Sequence, residues 1–174
     1  MLVQDTLSLE GTSPCHFLAM CEDANAHAKA MEICGGIMGR FGDELAFAFS
    51  FWKFKDLKDP ASAHWAVEAV ARADILLLSL TGRDLTLEAN RWLDACVQVR
   101  TKAGGALALM VAQASGAGLA MEALLSRLEL AAYQLRMDFL PLLPLPIGKP
   151  AAWSSALLSQ GREESGSTHW GLNE

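Results

Sequence analysis

Residues 75–80 read Ile75-Leu76-Leu77-Leu78-Ser79-Leu80, entered from Asp74 and left through Thr81-Gly82. Such a run has no alternation of apolar and polar positions, so a strand formed from it is buried on both faces. A parallel sheet with helices on both sides offers that environment. Upstream, Asp59-Pro60 is a helix start, a capping carboxylate followed by a proline that fits the first turn. That helix runs through Trp65, Ala66, Val67 and Val70 to about Ala73. Downstream, Asp84 or Thr86 caps a helix with an inward stripe of Ala89, Leu93, Cys96 and Val99. Its acids Asp84 and Glu88 come early and its bases Arg100 and Lys102 late, as the helix dipole favours.

The same alternation extends in both directions. Residues 15–21, CHFLAMC, form an apolar run. From Asp23 to about Arg40, Ala26, Ala30, Ile33 and Ile37 recur at helical spacing. Gly35, Gly36, Gly39 and Gly42 predict early fraying of that helix or very close packing on the sheet. Residues 44–52, ELAFAFSFW, carry Phe47, Phe49 and Phe51 at strand period. Gly105 opens the strand ALALMVA. The loop QASGAG leads to a helix with stripe Met121, Leu124, Leu125, Leu128, Ala132 and Leu135. MDFLPLL, 137–143, is the last strand, and Pro141 within it implies an edge. Five strands and four intervening helices predict a three-layer α/β/α sandwich, its five-stranded parallel sheet in the order 2-1-3-4-5. The domain spans 14–147, after an extension at 1–13. A C-terminal segment at 148–174 comprises a short helix near 150–160 and a polar tail.

Of the 174 residues, 52% are hydrophobic and 20% charged, and the net charge is −6. That composition excludes overall disorder, and the acidic balance argues against nucleic acid or anionic lipid as a partner. MLVQDTLSLEGTSP lacks a basic n-region and an apolar h-region, so a cytoplasmic location is expected. The longest uncharged stretch, 103–121, is broken by glycines and polar residues and predicts no membrane span. Cys15, Cys21, Cys34 and Cys96 form no CxxC pair, and the histidines at 16, 27, 64 and 169 show no HExxH spacing, so neither metal nor cofactor is expected. GxSxG and GxxxxGK[ST] are absent. WKFKDLK, 52–58, interleaves aromatics with lysines, but Asp56 and Asp59 offset the charge, so it reads as a solvated loop with a packed tryptophan.

LAMCEDANAHAKAMEI (18–33), ADILLLSLTG (73–82) and MDFLPLLP (137–144) resemble the first, third and fifth strand regions of response-regulator receiver domains. The resemblance implies a flavodoxin-like, receiver-like fold over about residues 15–145. It also implies a phosphoacceptor site built on an acidic pair, an aspartate nucleophile and a lysine. Glu22 and Asp23 match the acidic pair. Ser79 stands at the nucleophile position, and only apolar residues and prolines surround Leu142 and Leu143, where the lysine belongs. Lys149 comes too late. The resemblance therefore implies a receiver-like domain with a degenerate phosphoacceptor site. The expected function is a non-catalytic signalling or protein-interaction module that binds a protein partner or itself, with a homodimer expected. ADILLLSLTGRD with LEANRW also resembles nucleoside deoxyribosyltransferase-like enzymes, which act on a sugar-base bond, and this implies Glu88 as nucleophile.

Ligands of a doubly wound sheet bind beyond the carboxyl ends of its strands, where the winding reverses. Glu22, Asp23, Ser79, Thr81, Gly82 and Arg83 are the expected ligand-binding residues there, beside Asp84. Asp23 and His27, four apart on one helical face, are an acid/base candidate. Equally, Asp23 caps the helix while His27 packs on its first turn. The candidate catalytic residues are thus Asp23, His27 and Glu88.

Overall fold

The computed structural model describes residues 13–112 and 118–142, all within one compact unit. The expectations for 1–12, for the loop at 113–117 and for everything from 143 onward lie outside the described residues. Ten elements follow in order. They are β1 (Cys15–Cys21), α1 (Ala24–Phe41), β2 (Phe47–Lys53), a 3-10 helix (Phe54–Lys58), α2 (Pro60–Arg72), β3 (Ile75–Leu80), α3 (Leu87–Val99), β4 (Ala106–Val111), α4 (Leu119–Leu135) and β5 (Asp138–Leu142). All neighbouring strands are parallel, in the order β2-β1-β3-β4-β5. This is the flavodoxin-like winding, with its reversal between β1 and β3.

Strand parity sorts the core into two layers. Leu76, Leu78 and Leu80 of β3 face α2, α3 and α4, together with Leu18, Met20, Leu107 and Leu109. Leu77 faces the other way with Phe17, Ala19 and Cys21, against Ala26, Ala30 and Cys34 of α1. Among the described residues α1 alone covers this second face. Pro141 pairs with Leu109 on one side only, as its edge position requires.

The caps are local chemistry. Asp59 accepts from the Ser62 N–H with Pro60 in the first turn of α2, and Thr86, not Asp84, caps α3 through the Ala89 N–H. Two expectations need correction. α1 runs unbroken through Gly35, Gly36 and Gly39, and a Cβ at any of them would meet nothing within 4 Å. These glycines are exposed, so neither fraying nor close approach to the sheet occurs. Trp52 packs against this layer as expected, but the stretch from Phe54 to Lys58 is a 3-10 helix instead of a solvated loop, because Phe54 and Leu57 both bury into the α2–α3 layer. Among the described residues no helix is long and apolar enough to cross a membrane.

Candidate functional site

β1 and β3 are adjacent, with Cys21 opposite Ser79. Their ends therefore bring Glu22-Asp23 against Thr81-Gly82, about sixty residues away along the chain. Glu22 Oε2 accepts from the Thr81 N–H at 2.7 Å and the Gly82 N–H at 2.9 Å, and the Glu22 N–H donates to the Ser79 carbonyl at 3.0 Å. Asp23 caps α1 by accepting from the Ala26 N–H at 2.8 Å, and its other oxygen accepts from the Thr81 hydroxyl at 2.8 Å. The Ala26 amide first, then the Thr81 hydroxyl, holds the Asp23 carboxyl below its ordinary range. Both carboxylates of the acidic pair thus stitch β1 to the loop before α3.

Ser79 shares strand parity with Leu77, which puts its side chain under α1. It is 0% exposed and donates to the Ala26 carbonyl at 2.7 Å. The serine at the nucleophile position of the receiver resemblance is a buried tie between β3 and α1. The His27 ring packs steeply against the Phe51 ring, with centroids 5.3 Å apart and planes at 69°, while its backbone N–H donates to the Asp23 carbonyl. The Asp23 carboxylate and the His27 ring are not bonded to each other, so the acid/base pair is not assembled. Arg83 reaches the start of α4: a Cβ on Gly118 would stand 3.7 Å from its Nη1.

Glu88 lies elsewhere. It belongs to the first turn of α3, on the face of the sheet opposite α1, and lines an open groove of about 580 Å³ between α2 and α3. Lys58, His64 and Arg91 share its rim, and Val67, Trp92 and Ala95 are part of its floor. The strand-end cluster and Glu88 are therefore two separate places. The groove was not foreseen, although Ala63 and Val67 on one helix and Glu88, Arg91 and Ala95 on the next have the spacing of a shared helix face. Among the described residues no three His, Cys, Asp or Glu side chains are grouped to hold a metal ion.

Burial pushes the Cys21 thiol up to about 11 and the Cys34 thiol up to about 12; Cys96 is raised for the same reason. These buried cysteines are inert apolar packing at neutral pH.

No protein-family model matches the chain, and no curated protein matches it. Among solved structures it is similar to a flavodoxin-like domain from a Synechococcus sp. protein. The identity is 16%, the alignment covers 83% of this chain and 89% of that one, and the TM-score is 0.47.

Proposed function

We propose that the chain is a receiver-like, non-catalytic signalling or protein-interaction module with a degenerate phosphoacceptor site, acting in the cytoplasm through a protein partner or through a second copy of itself. The observation that carries this reading is the engagement of Glu22: one carboxylate oxygen takes both the Thr81 and the Gly82 N–H. Asp23 is likewise engaged twice. The residues that would assemble a phosphoacceptor centre serve as fixed ties instead. On this reading the loop between β3 and α3 is held by the protein's own carboxylates, and no phosphoryl group is needed to position it. The test is incubation with a small phosphodonor, acetyl phosphate, and magnesium, followed by intact-mass measurement. An unchanged mass is expected; a stable phosphoryl adduct on Asp23 would overturn the reading.

The alternative, a nucleoside deoxyribosyltransferase-like activity, draws on the position of Glu88 in a groove beside His64. Incubation with 2′-deoxyribonucleosides and an acceptor base decides it. No free base is expected, whereas base release abolished by Glu88→Gln would establish the enzyme.

A further inference from the structure

We infer that the outer face of α4 is the surface through which two copies of this chain associate, their helices side by side and parallel about a two-fold axis. The inference rests on the interaction-module reading above and names the partner and the face.

The inward side of α4 is complete in itself. Met121, Leu124, Leu128, Ala131, Ala132 and Leu135 are all buried in the core layer they share with β3 and β4. A helix in that position ordinarily turns charge to the solvent. The side of α4 opposite the core instead carries Leu119, Ala123, Ser126, Leu130 and Tyr133, every one of them exposed. Leu119 is 85% exposed, Leu130 53% and Tyr133 81%. Their separations run four, three, four, three, so the five form one ridge along the whole helix, with the spacing of a seam between two helices. The fold makes no use of this ridge.

Charge along the two edges of the ridge selects the occupant and its direction. Glu122 and Glu129 lie on one edge, and neither pairs with a described residue. Arg127 lies on the other edge, held on Asp94 at 2.6 Å. An antiparallel copy would set the two glutamates against the same two glutamates. A parallel copy sets each Glu122 toward the second copy's Arg127, five residues further on, in both directions across the axis. A guanidinium has five donors, so Arg127 serves a second carboxylate while keeping Asp94. A purely acidic helix would be repelled by the glutamate edge and a purely basic one by Arg127, whereas a second copy matches both edges. In parallel register Leu119, Leu130 and Tyr133 each meet their own counterparts. The small side chains of Ala123 and Ser126 let the helices approach between them.

The test is sedimentation equilibrium of the full chain and its variants. One helix pair is a small interface, so the parent is expected to reach twice 18.7 kDa only by about 100 μM. Leu130→Glu is expected to raise the dimer dissociation constant about tenfold or more, and Glu122→Arg about fivefold. Ala123→Cys is expected to cross-link with its own counterpart under oxidised glutathione, because parallel register brings the two positions within disulfide reach; the parent, treated alongside, is expected not to cross-link. All three positions are exposed, and far-UV circular dichroism confirms that each variant folds. A monomer throughout the range overturns the inference. So does a dimer indifferent to Leu130→Glu, which would place the contact on another face and leave the module reading standing. A dimer tightened by Glu122→Arg, or one whose Ala123→Cys variant fails to cross-link, overturns the parallel pairing. Failure of the module reading has a separate signature, the phosphoryl adduct or base release described above.

Discussion

Arg100 is 6% exposed and spends its guanidinium entirely on main-chain oxygens. Nε donates to the Leu135 carbonyl at 3.1 Å, Nη1 to Val70 and Ala73 at 2.7 and 2.8 Å, and Nη2 to Gly104 at 2.9 Å. One side chain thus gathers carbonyls at the ends of α2 and α4, Val70 among them although it also accepts from the Ala73 N–H, and places a positive charge at both negative helix poles. Arg100→Met is expected to lower stability on the order of 3 kcal/mol in urea unfolding, because it strands several carbonyls at once. Arg100→Lys should recover only part, since an ammonium lacks the planar fork. At the strand ends, Glu22→Ala removes the acceptor for two amides and is expected to cost about 1–2 kcal/mol. Native-state hydrogen exchange should show Thr81 and Gly82 losing protection while β3 keeps its own. Unchanged protection at those two amides would mean that the carboxylate is not what holds the loop.

Glycine has opposite meanings in two elements. In α1, Gly36 is exposed within a regular helix with nothing near its missing Cβ, so Gly36→Ala is expected to stabilise by about 1 kcal/mol through reduced chain entropy in the unfolded state. At the entry to β4, Gly105 has φ +94°, and a Cβ there would collide with the Asp74 carbonyl oxygen. That oxygen accepts from the Ala106 N–H and starts the β3–β4 ladder. Gly105→Ala is therefore expected to destabilise on the order of 2 kcal/mol, combining left-handed strain with steric displacement. Thermal unfolding of the two alanine variants should move the midpoint in opposite directions.

For the molecule as a whole, charge sets the limits in pH. Asp23 and Asp59 lie below their ordinary range because helix amides donate to them. Burial alone would raise Asp74, but the Lys102 ammonium and the His16 N–H outweigh it and lower the carboxyl. Depressed carboxyls add stability that is present above the unfolded value of 3.8 and is lost as pH falls through the folded values, where the unfolded chain binds more protons. The buried thiols act at the other end. Above 9.0 the unfolded chain ionises while Cys21 and Cys34 resist to about 11 and about 12, so stability falls as pH rises there. Denaturant midpoints across pH should therefore form a plateau that declines below about pH 4 and above about pH 9. A plateau extending unchanged to pH 2 would show that the three aspartates are unpaired in solution.

The sequence by itself determined the winding. An unbroken run at Ile75–Leu80 demands cover on both faces, Asp59-Pro60 starts a helix within four residues, and Pro141 admits only an edge; all of these are short-range requirements of hydrogen bonding and burial. The 3-10 helix at Phe54–Lys58 escaped because its two buried anchors sit among lysines and aspartates, and only packing on α2 and α3 reveals which side turns inward. Tertiary structure alone decided the fate of the strand-end residues. Glu22 finds its donors 59 and 60 residues away, and Ser79 turns under α1 because strand parity and sheet order jointly choose its face. It also decided that Glu88 belongs to a groove on the far side of the sheet from Asp23 and His27. The periodicity of a chain fixes which residues must be buried, whereas the destination of a polar side chain depends on partners that only the closed sheet brings within reach.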